Sequence, residues 1–270
     1  MKGIILAGGA GTRLYPLTQF ISKQLLLVNG NPMILYPLSF LVKMGIKEVL
    51  LITRPKDASA FQQLLGNGKR FGISLEYAIQ EQPKGIAESF IIAGSFIGDD
   101  NVCLILGDNF FYGPSLFNEL TRKNFFNPAR GFGATVFGYE VDDPQHYGIA
   151  SLDQFNKVIE IEEKPACPIS NMAITGLYCF DRRVVEFAKR VMPSKRGELE
   201  ITSIIQMYLE CGELTMELLG PDVSWFDMGT HEKLKAVSSF IQQVEAQTEQ
   251  CILNMVSYTT KKDKVRLCEC

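Results

Sequence analysis

Four short apolar runs, at residues 3–6, 49–52, 75–79 and 102–106, are separated by longer stretches of helical spacing at 32–44, 58–65 and 86–93. Runs this short and this uniformly apolar read as strands buried on both faces. Strand and helix in alternation feed right-handed crossovers, so the expected fold class is α/β, a mostly parallel central sheet covered by helices. Pro32 is placed to open the first helix, where a proline forfeits no hydrogen bond. The second half is more mixed, with strands expected at 134–139, 158–161 and 173–180 and helices at 183–191, 201–210 and 231–249. No repeat or low-complexity linker divides the chain, so a single domain is expected over residues 1–250. Periodicity fades from Cys251, leaving 251–270 as a divergent, loosely attached tail.

Of the 270 residues, 46% are hydrophobic and 21% charged, and the net charge is -3. A balance this close to neutral offers no field for nucleic acid or an anionic membrane, so neither is an expected partner. Phosphorylated substrates would need positive charge placed locally. Seven cysteines, an odd count without the spacing of a disulfide framework, read as reduced thiols. The chain enters its first strand almost at once, and no apolar stretch reaches the roughly 18–20 residues that span a bilayer. A cytoplasmic protein is expected.

The first strand runs directly into Leu6-Ala7-Gly8-Gly9-Ala10-Gly11-Thr12-Arg13-Leu14. Glycines let a backbone turn sharply and bring bare N–H groups against phosphate oxygens. A Walker loop would end in Gly-Lys-Ser/Thr, and a dinucleotide fingerprint would put a third glycine where Leu14 stands; neither pattern is met. A purely structural turn is the competing reading. Arg13 closes the loop, however, and Lys23 follows ten residues later in Ser22-Lys23-Gln24. Cations beside a glycine nest suit a ligand with several negative charges, such as a triphosphate. Further on, Leu106-Gly107-Asp108-Asn109 follows an apolar strand, putting a carboxylate where open α/β sheets bind ligands. Gly-Asp-Asn is also good turn chemistry. Asp227, before Thr230, is a second acid that could instead cap the last long helix.

These segments resemble the sugar nucleotidyltransferases, specifically the glucose-1-phosphate thymidylyltransferases. The likeness is carried by MKGIILAGG running into GGAGTRL (8–14), by SKQLL (22–26), RFGISLEYAIQEQPKGIAESF (70–90), LGDNFFYG (106–113) and HYGIASLD (146–153). IEEKP (161–165), ITGLYCFD (174–181), RGELEIT (196–202) and WFDMGTHEKL (225–234) continue it in order, across roughly residues 1–247. The resemblance implies a Rossmann-like fold with a nucleotide-binding part over about 1–130, a mixed α/β sugar-binding part over about 131–230 and a C-terminal helix at 231–249. It also implies Mg2+ as cofactor, dTTP and glucose 1-phosphate as substrates, release of pyrophosphate, and a homotetramer; because methyl discrimination is worth only roughly 1–3 kcal/mol, UTP is expected as a weaker substrate.

Residue by residue, the resemblance assigns catalysis to Arg13, Lys23, Asp108 and Asp227, with both aspartates on the metal. Leu6, Gly8, Gly9, Gly11, Thr12 and Gln24 would join Arg13, Lys23 and Asp108 around the nucleotide. Base selection would fall to Gln80, whose amide offers donor and acceptor to a pyrimidine edge, with Pro83 and Gly85 beside it. Asn109, Gly148, Glu163, Lys164, Ile174 and Arg196 would receive the sugar phosphate. The attacking phosphate oxygen is already an anion and needs no general base, so the chemistry asks for positioned cations and carboxylates.

Two departures stand out. The segment from Cys251 to Lys261 does not match the acidic and basic stretch of longer family members that helps form a secondary nucleotide-sugar site, and Pro114 stands where a histidine is usual. Feedback control is therefore expected to be weak or differently wired. A nicotinamide dehydrogenase is disfavoured by the missing third glycine and by the lack of a ribose-binding acid about 20 residues beyond the loop. A catalytically idle homologue is disfavoured by the intact Arg13, Lys23, Asp108 and Asp227.

Overall fold

The structure, a computed structural model, describes residues 1–114, 116, 117, 120 and 133–253. β1 (Lys2–Ala7) is buried from Gly3 onward, and both its edges are taken by parallel partners, β4 (Glu48–Thr53) and β6 (Val102–Leu106). β5 (Ser74–Ile79) adds a fourth parallel strand beyond β4. Helices carry the chain back between these strands: α1 (Leu35–Lys43), α2 (Ala58–Leu65), then α3 (Glu88–Ile92) with α4 (Gly94–Ile97).

Side chains alternate along each strand and so feed two cores. Ile5, Val49, Leu51, Cys103 and Ile105 pack with α1 and with Phe61 and Leu65 of α2. Ile4, Leu50, Ile52, Val102 and Leu104 pack on the other face with Phe90, Ala93 and Ile97. A strand serving an apolar layer on each side has no polar position, hence the continuous runs in the sequence.

The second half extends the sheet with antiparallel pairs. β11 (Met172–Phe180), buried throughout, gives one edge to β8 (Ala134–Glu140). Its other edge is shared: residues 177–180 lie against β6, and Ala173 lies against Ile149 of β9 (Gly148–Leu152). β10 (Val158–Glu163) pairs with β9, and β12 (Leu214–Leu218) runs parallel to β8. The order is β10-β9-β11-β6-β1-β4-β5, with β8 on β11 and β12 on β8. α5 (Val184–Arg190) and α6 (Ile201–Glu210) cover one core, and α7 (His231–Thr248) returns to the other through Val237 and Ile241. A separate ladder joins β7 (Asn109–Tyr112) to β13 (Ser224–Asp227).

Pro32 does not open the first helix. Asn29 (φ 47°) and Gly30 (φ 77°) take left-handed conformations, and this Asn-Gly turn folds β2 (Leu27–Val28) against β3 (Asn31–Pro32). The stretch expected as a helix at 86–93 is helical over Glu88–Ile92, and a second short helix, Gly94–Ile97, follows directly after Ala93. Of the tail, Leu253 packs into the α1-side core, and the Ile252 carbonyl accepts from Lys43 Nζ at 3.1 Å. The sequence expectation for the tail beyond Leu253 lies outside the described residues. No helix among the described residues is long and apolar enough to cross a membrane.

Candidate active site

Gly107 turns the chain at the end of β6, where a Cβ would fall 3.0 Å from both the Leu6 carbonyl oxygen and Gln24 Cγ. The turn delivers Asp108, which is 8% exposed. Its Oδ2 accepts a hydrogen bond from Lys23 Nζ, and its Oδ1 accepts one from Asn109 Nδ2 at 3.4 Å. Burial pushes the Asp108 carboxyl up, but the charge and hydrogen bond of Lys23, helped by Arg13, hold it below the usual carboxylate range. The glycine loop wraps the same lysine. A Cβ on Gly9 would sit 3.6 Å from Lys23 Nζ, and one on Gly11 would sit 3.3 Å from Lys23 Cβ.

Asp227 reaches the same place from the other side of the chain. It closes β13 opposite Asn109, and the next amide, Met228 N, donates to the Asp108 carbonyl at 2.8 Å. Gly229 follows where space is scarce: a Cβ there would lie 2.6 Å from Arg13 Nη2 and 2.7 Å from Asp227 Oδ1. Thr230, not Asp227, caps α7, its Oγ1 accepting from Lys233 N at 3.3 Å. Lys233 Nζ lies 3.5 Å from Asp227 Oδ2. Burial lowers the Lys233 pKa, but Tyr147, Asp227 and Asp143 outweigh it and hold the ammonium above the ordinary lysine value.

These groups border a cavity of about 580 Å³. Its walls include ten of the residues singled out in the sequence: Thr12 and Arg13, Asp108 and Asn109, Gly148, Glu163 and Lys164, Ile174, Arg196 and Asp227. Glu163 is the centre of the second charged group. Its Oε1 pairs with Arg196 Nη1 at 3.2 Å and Lys164 Nζ at 3.4 Å, while Oε2 accepts from Thr202 Oγ1 at 3.0 Å. Asn109 is the buried joint between the walls, its Oδ1 accepting from Trp225 Nε1 at 2.7 Å and Gly176 N at 3.1 Å.

Leu6, Gly8, Gly9, Gly11, Lys23, Gln24, Gln80, Pro83 and Gly85 are not among the cavity's lining residues. Most of them form an adjoining layer. A Cβ on Gly8 would fall 2.0 Å from Gln80 Oε1, so the buried amide lies against the glycine loop. Its Nε2 donates to Glu88 Oε2 at 2.9 Å and to the Gly85 carbonyl at 3.3 Å. Ser22 Oγ donates to Gln24 Oε1 at 2.7 Å. Pro83 is exposed. Sequence reasoning missed Tyr147, Tyr178 and Trp225 as wall residues, left His146 without a place, and overlooked Lys233. Tyr147 sits inside HYGIASLD and Lys233 inside WFDMGTHEKL, so the signal was available only as position within a motif.

The donor set fits a magnesium ion. Asp108 and Asp227 each give Oδ2 to a lysine, and neither Oδ1 is in an ion pair among the described residues. No cluster of three or more His, Cys, Asp or Glu occurs among those residues. Two carboxylates with no third protein ligand is the pattern of an ion that completes its shell with phosphate oxygens and water.

Residues 2–244 match the family model described as nucleotidyl transferase. The chain is 54% identical over 245 residues to the glucose-1-phosphate thymidylyltransferase of Neisseria gonorrhoeae, covering 91% of this chain and 84% of that one. It is 49% identical to the protein of the same name from Xanthomonas campestris pv. campestris, covering 90% and 81%. A Bacillus anthracis crystal structure, assigned as a glucose-1-phosphate thymidylyltransferase and solved with sucrose, superposes with a TM-score of 0.79 at 39% identity, over 89% of this chain and 94% of that one. Fold, carboxylate pair and glycine loop thus agree with the sequence match across nearly the whole described chain: it belongs to the nucleotidyl transferase family.

Proposed function

We propose that this chain joins dTTP to α-D-glucose 1-phosphate, forming dTDP-glucose and pyrophosphate. The observation that carries the reading is one cavity bordered by Arg13, Asp108 and Asp227 and also by Glu163, Lys164 and Arg196, with Lys23 bonded to Asp108. Similarity to the thymidylyltransferases supplies the substrate pair. A sugar-phosphate oxygen attacks the α-phosphorus in line with the departing pyrophosphate, and no base is required. The protein's task is to hold two mutually repelling anions in contact. Arg13 binds the triphosphate and the leaving pyrophosphate, and Lys23 braces the α-phosphate. Glu163 takes sugar hydroxyls, Lys164 and Arg196 take the phosphate, and the backbone at Gly148 and Ile174 lines the pocket. Gln80, with Pro83 and Gly85, reads the base. Asp108 and Asp227 would hold a magnesium ion, which when bound would neutralise charge on the phosphates.

Thymine differs from uracil by one methyl group, worth roughly 1–3 kcal/mol of discrimination, so UTP is a weaker substrate and not an excluded one. A cytoplasmic homotetramer completes the reading and rests on the family resemblance; light scattering of the purified protein tests the tetramer. The activity itself is tested by pyrophosphate release from each pairing of dTTP or UTP with a panel of hexose 1-phosphates. Fastest turnover by dTTP with glucose 1-phosphate is expected. No turnover of that pair, or a clear preference for another, would overturn the assignment.

A further inference from the structure

None of the roles above uses Lys233, yet its ammonium is held by groups from two walls of the cavity. Nζ is hydrogen-bonded to the Tyr147 hydroxyl and lies 3.4 Å from Asp143 Oδ2 and 3.5 Å from Asp227 Oδ2. An ammonium has three donors, and three acceptors surround this one. Local helix energetics do not explain it. Lys233 is the third residue of α7, at the positive end of the helix dipole, where a cation is disfavoured. What holds it there comes from outside the helix.

The three acceptors belong to two separate walls. Asp227 ends β13 beside Asp108. Asp143 and Tyr147 flank the single turn Pro144–His146, closed by Tyr147 N donating to the Pro144 carbonyl at 3.1 Å. Tyr147 then acts on the candidate phosphate ligand. Its carbonyl accepts from Lys164 N at 2.9 Å, and Lys164 has φ 44°. A lysine keeps a left-handed backbone only where its surroundings hold it. Freeing Tyr147 would release that hold and let Lys164 relax away from the cavity.

We propose that Lys233 is a positioning residue, tying the wall that receives the sugar phosphate to the strand end that carries Asp227. The inference rests on the preceding reading of Lys164 and Glu163 as the sugar-phosphate side. It separates Lys233 from a residue that merely stabilises the fold, because its effect falls on one substrate and not on the other.

Trp225 supplies the readout. It is the only tryptophan in the chain, it lines the cavity, and its ring centroid is 5.3 Å from that of Tyr147. Glucose 1-phosphate is titrated against Trp225 emission in the presence of a non-reacting dTTP analogue, alongside steady-state kinetics. Lys233→Met should weaken glucose 1-phosphate about tenfold in both Kd and KM while changing the dTTP KM by less than about twofold, a shift typical of losing one well-placed polar contact. Lys233→Arg should restore part of the loss. Asp143→Asn should act in the same direction, and the double variant should fall short of the sum. Unchanged glucose 1-phosphate affinity in folded Lys233→Met, or equal weakening of both substrates, overturns the proposal. Binding is read without turnover, so an inactive wild type that still binds glucose 1-phosphate would sink the activity proposed above and leave Lys233 to be decided by affinity. A wild type that does not bind glucose 1-phosphate overturns both.

Discussion

Lys23 and Asp108 form a pair whose side chains are only 13% and 11% exposed. Such a pair adds little net stability, because desolvating two charges offsets their attraction. In the proposed reaction it would provide a dehydrated cation already in place before negative charge builds on a substrate. Lys23→Ala should therefore lose turnover by about 10²–10³-fold, the cost of one missing transition-state donor. Pyrophosphate release, with circular dichroism to verify folding, is the measurement; near-normal activity would move the reacting centre elsewhere. Asp181 shows the opposite case, a charge used for architecture. Burial pushes its carboxyl up, but hydrogen bonds from Arg183, the Gly133 amide and the Tyr208 hydroxyl outweigh that and hold it below the usual carboxylate value. A native pKa lowered below the unfolded value of about 3.9 gives stability that is complete above that pH and is lost as pH falls through the native value. Asp181→Asn should lower the melting temperature at neutral pH and flatten its fall below about pH 4. An acid limb identical to wild type would remove Asp181 from the account. Single charges such as Asp108 could be read from the sequence because a strand end announced them. Tyr147 and Lys233 were marked only by their places within two motifs, and their pairing was hidden because only the fold brings residues so far apart to one point.

Two segments expected to serve different substrates cross as bare backbone. Leu199 N donates to the Lys84 carbonyl at 2.6 Å, and Ala87 N donates to the Leu199 carbonyl at 3.1 Å. Gly85 lies at the crossing with φ 109°, and a Cβ there would fall 2.3 Å from the Leu199 carbonyl oxygen. Gly85→Ala should cost about 1–3 kcal/mol from conformation alone and more from the clash. For a chain of this size each kcal/mol lowers the melting temperature by about 2–4 °C. The kinetic mark should be a raised KM for both substrates, in contrast to Lys233→Met. A stable variant with wild-type KM values would show that the crossing yields easily. At this scale the buried strands were the easiest elements to foresee, because two apolar faces leave an unbroken run. β7 and β13 escaped notice because they are short and end in polar site residues. The β2–β3 hairpin escaped because Asn29-Gly30 was passed over in favour of Pro32 as a helix start.

For the molecule as a whole, the α/β order and the ten cavity residues were legible from strand periodicity and motif position, whereas the layering of Gly8 on Gln80 needed coordinates. The described residues contain no third metal-ligating side chain beside Asp108 and Asp227, so the ion should matter to turnover and not to folding. Chelation should stop pyrophosphate release, added Mg2+ should restore it, and the melting temperature without nucleotide should not move. Sustained turnover in excess chelator would exclude the carboxylate pair as a metal site. The division of β11 between β6 and β9 has a metrical consequence. Ile174, at the β9 end, and Tyr178, on the β6 side, both line the cavity, and between them the register against β8 shifts, Ile174 facing Gly138 and Tyr178 facing Val136. Four residues of β11 are thus set against two of β8, so the strand bulges there and the interval is shorter than the roughly 13 Å of a regular extended chain. The interval between these two wall residues is thus set by a bulged length of backbone, which side-chain changes leave in place. Deleting one residue between these positions would draw on the surplus of the bulge, whereas a deletion in the regular stretch 178–180 would turn every later side chain of the strand to the opposite face.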